Sequence, residues 1–244
     1  MNYKINESIE FLQQHFYNKK ALVCTSGGKD SIVINKLVEL AKIDFEMQST
    51  LTGIDPPEVT RFIRKNYPLC RFVRPRMSFW YLLTTHNPPG GTGRGIKWCC
   101  TKIKEDPSRK NPIKNRILGI RSEESHKRAK YGMINYIEKH NQTHFHPIFN
   151  WLEWEVWEFI EMFKLPYPSL YDQGFSRIGC VICPNHSKHH DIYRRHYPKY
   201  FACFEKYVQI WYEKRKSQGR NMYHETVQDF LVDWYNGKFY YYQH

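Results

Sequence analysis

The sequence predicts an α/β fold with a doubly wound parallel sheet and a helical C-terminal extension. Short apolar runs that suit buried strands alternate with amphipathic segments of helical length between Ala21 and Ile148. Glycine, proline, serine and charged residues separate these segments as turns. The chain from Asp191 onward has helical spacing instead. Its 244 residues suffice for one large α/β domain, or for one domain with a smaller appendage.

The first half of the chain alternates helices and strands. Apolar residues Ile5, Ile9, Leu12 and Phe16 recur at helical spacing and predict an amphipathic helix before the first strand. We expect next a strand at 21–24, a helix through 32–41, a strand around 45–52, a helix over 59–63 and a short strand at 71–73. Ligands of such sheets bind at the carboxyl ends of the strands. We therefore expect the turns at 26–31 and 53–58 to share one rim.

A loop rich in glycine and proline, Asn87–Gly95, opens the second half and is a candidate lid over a ligand. After it we expect a helix over 96–102, strands at 116–120 and 144–148, and a helix that opens at Asn150 or Trp151. The two prolines of Leu165-Pro166-Tyr167-Pro168 stop this helix. The segment from 191 to about 233 is rich in tyrosine and lysine and is predicted to be helical.

Charge and cysteine content narrow the function classes. Lys and Arg outnumber Asp and Glu by 37 − 24 = 13, which favours anionic partners such as nucleotides or nucleic acid. No apolar run approaches the roughly 18 residues that cross a bilayer, so we expect a cytoplasmic protein without a membrane partner. Seven cysteines in that compartment indicate metal, cluster or thiol chemistry rather than disulfides. Aromatic residues make up 16% of the chain and suit either core packing or base stacking.

The turn Ser26-Gly27-Gly28-Lys29-Asp30-Ser31 follows the first strand. Its glycines let backbone N–H groups approach an anion, and the N-terminus of the following helix attracts one. Lys29 adds a positive charge, the two serines add hydroxyl donors, and Asp30 suits either Mg²⁺ ligation or a helix cap. The turn resembles the pyrophosphate loop of the adenine-nucleotide alpha-hydrolase superfamily. That resemblance implies a Rossmann-like sheet and an ATP-related ligand.

Four of the cysteines form two close pairs, Cys99-Cys100 and the Cys-x-x-Cys of Cys180 and Cys183. A Cys-x-x-Cys turn lets both sulfurs converge on one metal centre. Adjacent cysteines suit a single zinc ion poorly, because consecutive side chains diverge. An iron–sulfur cubane accepts such a pair more readily, since its irons occupy separate corners.

Together with these cysteines, further motifs resemble the cluster-bearing branch of the phosphoadenosine phosphosulfate reductase family. These motifs are Thr52-Gly53 with Pro57-Glu58, Gly119-Ile120-Arg121 with Glu124-Ser125 and Arg128, His146-Pro147-Ile148 with Trp151, Gly174-Phe175, and Arg177 to Cys180. The resemblance covers about Ala21 to Pro184. It implies a nucleotide and cluster domain over 1–184, with a helical, basic, aromatic-rich extension over 185–244 packed on it.

The resemblance also assigns residues. It implies one [4Fe-4S] cluster, and as its ligands Cys99, Cys100, Cys180 and Cys183. It implies an adenine-nucleotide site made by Ser26, Gly27, Gly28, Lys29, Asp30, Ser31, Thr52, Gly53, Glu58, Gly119, Arg121, Glu124 and Arg128. Among these we expect the catalytic residues to be Lys29, Asp30 and Arg121.

Two departures from the reductases of this family separate the candidate reactions. Reductases that act on sulfonucleotides usually lack the loop lysine, which is present here as Lys29. They also carry a catalytic cysteine in a C-terminal Glu-Cys-Gly-Leu-His motif, whereas this chain has only Cys203 in that region, in a setting typical of packing. We therefore favour a sulfurtransferase that uses ATP and Mg²⁺, releases pyrophosphate and delivers sulfur from the cluster. A sulfur or thiol donor protein is a candidate partner, and the donor itself is not predicted.

Two alternatives stay open. The first is a reductase that converts adenylyl sulfate and a thiol into sulfite and AMP, with the sulfate or phosphates held by Arg121, Arg128 and Arg177. The second is a nucleic-acid-binding module with a structural zinc ion near Cys183, whose other ligands would come from His186, His189, His190 and His196. The basic segment from Lys188 to Arg220 suits a phosphate backbone or a solvated helix face equally. The oligomeric state is not predicted.

Overall fold

The computed structural model describes residues 1–90, 97–184, 190–239 and 241, which form two compact units that interleave along the chain. The first unit comprises Met1–Thr50, Pro57–Val73 and Ser108–Ile178. The second comprises Leu51–Pro56, Arg74–Pro107 and Gly179–His244, so that it holds the C-terminal segment together with all four paired cysteines. The predicted lid falls partly on 91–96, and two of the histidines considered as zinc ligands fall on 185–189. Those residues lie outside the described part.

The first unit is built on a six-stranded sheet of order β3-β2-β1-β4-β6-β5. Its strands are β1 (Ala21–Cys24), β2 (Phe45–Thr50), β3 (Arg71–Val73), β4 (Asn115–Ile117), β5 (Ile134–Ile137) and β6 (Gln142–Phe145). Neighbouring strands are parallel, except that β5 runs antiparallel to β6 at the edge. The predicted doubly wound α/β fold is thus confirmed, and the antiparallel edge strand is an addition to it.

Both units contain helices. They are α1 (Asn2–Phe16), α2 (Lys29–Leu40), α3 (Pro57–Asn66), α4 (Phe79–Thr85), α5 (Asp106–Arg109), α6 (Glu153–Met162), α7 (His190–His196), α8 (Pro198–Ser217) and α9 (Val227–Tyr235). A π-helix at Cys100–Glu105 precedes α5. Within the described ranges, no helix combines the length and apolarity needed to span a bilayer.

One face of the sheet forms the main core of the first unit. Val23 of β1, Ile117 of β4 and Phe145 of β6 belong to one buried cluster, together with apolar residues of α1, α2 and α6. Their partners include Leu12 and Ile34, both fully buried. Burial of each such side chain contributes about 1.5–3 kcal/mol, so this cluster fixes the strands whose ends carry the candidate nucleotide site.

Several element ends differ from the sequence expectation. β4 stops at Ile117 rather than at 120 because the Ile120 N–H turns back to the carbonyl of Leu118. β6 stops at Phe145 rather than at 148 because Phe149 donates to the carbonyl of His146 in a turn. α6 begins only at Glu153, where the carboxylate of Glu155 accepts the Leu152 N–H at 2.6 Å.

The second unit packs an aromatic core around α8. Phe204, Trp211 and Trp234 are completely buried, and α4 lies against α8 through Trp80, whose ring centre is 5.7 Å from that of Tyr207. The composition did not distinguish core packing from base stacking as the role of the aromatic residues. In this unit many of them belong to the core.

Candidate active site

The strand order places a topological switch point between β1 and β4. From β1 the chain winds outward to β2 and β3, and it later returns through β4 to β6 on the other side. Open α/β sheets bind ligands outside the carboxyl ends of the strands at such a point. Here those ends lead into the loop 25–28 and into the turn that contains Gly119 and Arg121.

The loop after β1 has the backbone of an anion site. Gly27 adopts φ +75°, and a Cβ there would lie 2.7 Å from a methyl group of Val59. Gly28 is the N-cap of α2, no side chain caps this helix, and the hydroxyl of Ser31 donates to the Gly28 carbonyl at 2.8 Å. The first N–H groups of α2 therefore face a turn that only glycine fits. Ser26 lies at the same turn, with its hydroxyl 3.4 Å from that of Ser31.

Lys29 is the first residue of α2, and its side chain is only 6% exposed. Its backbone N–H donates to the hydroxyl of Tyr171 at 2.9 Å. Its ammonium donates to the carbonyl of Ser176 at 3.2 Å and lies 3.3 Å from the carboxylate of Glu153. A buried cation at the start of a helix, held by groups that an anion can replace, suits a phosphate ligand.

Arg121 and Asp30 form a buried ion pair beside the loop. The Nε of Arg121 donates to Oδ1 of Asp30 at 2.6 Å, and Arg121 also pairs with Glu123. Burial alone would lower the pKa of the Arg121 guanidinium, but the two carboxylates outweigh it and raise that pKa. Asp30 thus lies in the first turn of α2 as an acceptor for Arg121 and does not cap the helix. Gly119 allows this approach, since a Cβ there would lie 2.9 Å from the backbone of Asp30.

The remaining predicted nucleotide residues are less tightly grouped. Glu124 forms an ion pair with Arg128 and accepts the backbone N–H of Arg121, which makes it part of the same turn. Glu58 pairs with Arg61 on the surface of α3. Thr52 and Gly53 belong to the second unit, where the Thr52 hydroxyl donates to Asp55 at 2.6 Å and Gly53 adopts φ +78°. The structure therefore groups Lys29, Asp30 and Arg121 within one unit, and places Thr52 and Gly53 in the other.

The four paired cysteines all lie in the second unit. Cys100 opens the π-helix, and Cys180 is buried. The turn around Cys180 is fixed by two backbone N–H groups, those of Val181 to the Ile54 carbonyl at 2.8 Å and of Gly179 to the Tyr193 hydroxyl at 3.1 Å.

The thiols are electrostatically linked. A hydrogen bond with Cys100 and burial raise the pKa of Cys99, and the nearby Cys180 and Cys183 raise it further. The same hydrogen bond lowers the pKa of Cys100 to about 6. Burial raises the pKa of Cys180, which hydrogen-bonds Lys104. Among the described residues no three His, Cys, Asp or Glu side chains already converge as a metal cage. The chemistry of the donor set nevertheless suits a thiolate-bound cluster, because four cysteines belong to one unit and Lys104, which hydrogen-bonds Cys180, offsets negative charge there.

Several residues of these sites could not be found from the sequence. Tyr171, Ser176 and Glu153 contact Lys29 across more than a hundred positions of chain, and no local pattern marks them. Cys203, predicted to be a buried packing residue, is only half-buried on α8, and burial raises the pKa of its thiol.

Comparisons with known proteins identify the family of this chain. Residues 20–186 match the model of the phosphoadenosine phosphosulfate reductase domain. A protein of Methanocaldococcus jannaschii without a described function is 30% identical over 236 residues, which cover 87% of this chain and 46% of that protein. An adenosine 5'-phosphosulfate reductase of Geobacillus kaustophilus is 30% identical over 68% of this chain and 74% of its own length. The chain spans less than half the length of its two M. jannaschii relatives.

Solved structures share the fold. The phosphoadenylyl-sulfate reductase of Candida auris, crystallised with phosphate, superposes with a TM-score of 0.54 at 17% identity, over 71% of this chain and 88% of that one. The FMN adenylyltransferase of Candida glabrata reaches 0.52 at 17% identity, over 73% and 61%. The family model covers more than half of this chain. The matched residues include the loop 25–28 at the switch point and all four paired cysteines. The chain therefore belongs to the phosphoadenosine phosphosulfate reductase domain family, within the adenine-nucleotide alpha-hydrolase superfamily.

Proposed function

We propose that this protein is an ATP-dependent sulfurtransferase that cleaves ATP between its α and β phosphates to activate an acceptor. The observation that carries the proposal is Lys29, a buried ammonium at the N-terminus of α2, in a loop with the backbone of an anion site. A nucleotide that has already lost pyrophosphate needs no such charge at this position. ATP does, because negative charge develops on the departing pyrophosphate.

The loop would act by electrostatic stabilisation. The N–H groups of residues 28–31 and the ammonium of Lys29 would hold the β and γ phosphates and stabilise the leaving group. Phosphate oxygens would replace the Glu153 carboxylate and the Ser176 carbonyl around Lys29. Arg121 would face the α phosphate with its position fixed by Asp30, and Mg²⁺, when bound, would offset part of the phosphate charge.

The thiol site would supply the sulfur chemistry. Cys99, Cys100, Cys180 and Cys183 would hold a [4Fe-4S] cluster, which, when bound, provides a site for sulfur binding and transfer. Lys104 would reduce the repulsion among the thiolates, since it already hydrogen-bonds Cys180.

A second candidate is adenylyl-sulfate reduction to sulfite. It is favoured by relatives at 29% and 30% identity that carry the name adenosine 5'-phosphosulfate reductase. Such a reaction needs a thiol nucleophile, and Cys203 is a poor one because burial raises its pKa. The nucleophile would have to come from a partner protein.

The acceptor is proposed to be nucleic acid or another anion. Exposed basic residues line the α7 and α8 region of the second unit, among them Arg195, Lys199, Lys206, Lys216 and Arg220. A nucleic-acid complex would weaken steeply with salt, through release of counterions from the phosphate backbone. An affinity for tRNA and DNA that is absent or independent of salt would indicate a small acceptor.

The decisive experiment incubates anaerobically purified protein with ATP and Mg²⁺, or with adenylyl sulfate and a thiol. Pyrophosphate from ATP supports the sulfurtransferase, and sulfite from adenylyl sulfate supports the reductase. Lys29→Ala should abolish pyrophosphate release, whereas Lys36→Ala on the same helix removes only a surface pair with Glu39 and should not. Intact turnover in Lys29→Ala would contradict the assigned role. Iron and sulfide analysis distinguishes the cluster from a zinc site.

A further inference from the structure

We infer that Trp234 and His190 are positioning residues that hold the two cysteine-bearing segments of the second unit in register. Trp234 lies on α9, and His190 opens α7. Neither residue belongs to the motifs of the thiol site. The inference deepens the proposed function and rests on it, since it concerns how the four thiols are presented to a cluster.

The first contact reaches the segment of Cys180 and Cys183. His190 Nε2 lies 2.9 Å from the carbonyl oxygen of Cys183. Because a carbonyl oxygen only accepts, Nε2 must carry the proton and donate it. The ring of His190 stacks on Trp234 with centroids 5.3 Å apart and an interplanar angle of 7°. The indole therefore fixes the plane of the imidazole that holds the Cys183 carbonyl.

The second contact reaches the segment that leads to Cys99 and Cys100. Trp234 is completely buried, and its Nε1 donates to the carbonyl of Pro89 at 2.7 Å. Trp98, directly before Cys99, donates from its own indole to the carbonyl of Asn87 at 2.8 Å. Asn87 and Pro89 lie two positions apart in the chain. The carbonyl of Asn87 anchors the indole of Trp98, and the carbonyl of Pro89 anchors the indole of Trp234, which stacks on His190.

One side chain consequently links both halves of the thiol set. The path runs from Cys183 through His190 to Trp234, then through Pro89 and Asn87 to Trp98 and Cys99. The links are three hydrogen bonds, one ring stack and two short stretches of backbone, all within the second unit. Groups that orient metal ligands without touching the metal commonly change metal affinity about 10- to 100-fold when they are removed.

Trp234→Phe tests this inference, because it keeps a ring against His190 but removes the donor to Pro89. Trp211→Phe is the matched control. Trp211 is equally buried in the same unit, and its Nε1 has no hydrogen-bond partner among the described residues. Both variants lose the same atoms from the core, so thermal unfolding shows whether they are destabilised alike. His190→Gln, which retains a donor, should recover part of what His190→Phe loses.

Two measurements are needed on full-length protein. The first is the rate of iron loss to a chelator after reconstitution with iron and sulfide, together with the electron paramagnetic resonance spectrum of the reduced protein. We expect iron loss about tenfold faster in Trp234→Phe, with a broadened spectrum, and wild-type behaviour in Trp211→Phe. The second is the rate at which iodoacetamide labels Cys183 in metal-free protein, followed by mass spectrometry. We expect a severalfold rise in Trp234→Phe alone.

The outcomes separate this inference from the proposed function. If the wild type binds no iron but Trp234→Phe still exposes Cys183 to labelling, the cluster proposal fails and the positioning role stands. If the wild type binds iron and both tryptophan variants match each other in iron loss and labelling, the positioning role is overturned while the cluster remains.

Discussion

Replacement of Gly119 by alanine should damage nucleotide binding more than it damages folding. Gly119 lies in the turn after β4, and its φ lies outside the left-handed region, so alanine can adopt its backbone conformation. The cost is therefore steric. The new Cβ would lie 2.9 Å from both the carbonyl carbon and the carbonyl oxygen of Asp30, in the first turn of α2.

The magnitude follows from that separation. Ordinary van der Waals contact begins near 3.4 Å, so the two backbones must separate by at least 3.4 − 2.9 = 0.5 Å. Overpacking of this kind costs about 1–3 kcal/mol of stability. The displaced backbone belongs to Asp30, which follows Lys29 and whose carboxylate holds Arg121. A shift of roughly 1 Å in groups that position a substrate can cost about 10²-fold in activity. We expect ATP affinity to fall by about tenfold or more, and pyrophosphate release by more than that.

The assay combines urea unfolding with calorimetric titration of a non-hydrolysable ATP analogue. Gly219→Ala is the control: Gly219 in the second unit has φ +73° with open space around it, so alanine there costs about 1 kcal/mol by conformation alone. Both variants should lose stability, but only Gly119→Ala should lose nucleotide affinity. Equal affinity in Gly119→Ala and wild type would refute the argument that this close approach positions the phosphate site.

Four further predictions concern side chains. Arg121→Lys keeps the charge but loses the guanidinium fork on Asp30, so calorimetry should show about tenfold weaker nucleotide binding; unchanged affinity would contradict the role of the pair. Glu153→Gln removes a half-exposed carboxylate that competes for Lys29, and titration should show affinity that rises by up to about fivefold, not one that falls. Burial lowers the pKa of His144 from 6.5 to about 4, so the unfolded chain binds more protons between those values and stability is lost as pH falls through that window. His144→Gln should remove up to about 3 kcal/mol of this dependence in urea unfolding, and an unaltered pH profile would show that His144 is not responsible. Cys203→Ser should leave both pyrophosphate and sulfite formation intact in a turnover assay, since burial raises the pKa of this half-buried thiol and makes it a poor nucleophile.

The sequence was informative where short-range physics determines structure. The strand before Ser26, the glycine turn and the helix from Lys29 depend on neighbouring residues, and all three were predictable. The family resemblance implies that the two cysteine pairs share one site, and the structure places all four cysteines in the same unit. The edge strand β5 was not predictable, because apolar residues Ile134 and Tyr136 occupy its exposed positions, so that the hydrophobic pattern does not mark its more buried face.

An unusual helix geometry and contacts across long chain separations limited the rest. The backbone N–H of Asp106 reaches back to the Thr101 carbonyl, which makes the helix after Cys99 a π-helix, and residue spacing does not distinguish that geometry from an α-helix. Thr52 and Gly53 follow a strand of the first unit in sequence yet belong to the second unit, since Ile54 accepts the N–H of Val181. Only the fold could supply these partners.

The interleaving of the two units constrains how the protein can be made and divided. The chain passes from one unit to the other between residues 50 and 51, 56 and 57, 73 and 74, 107 and 108, and 178 and 179. No single cut therefore releases the second unit as an autonomous fragment. A ribosome completes the first unit when it has added Ile178. About eighty further residues must be synthesised after Cys99 and Cys100 before Cys180 and Cys183 are present. Assembly of a cluster on all four thiols would therefore have to follow synthesis of Cys183, and exchange of the second unit between relatives would have to replace three segments at once.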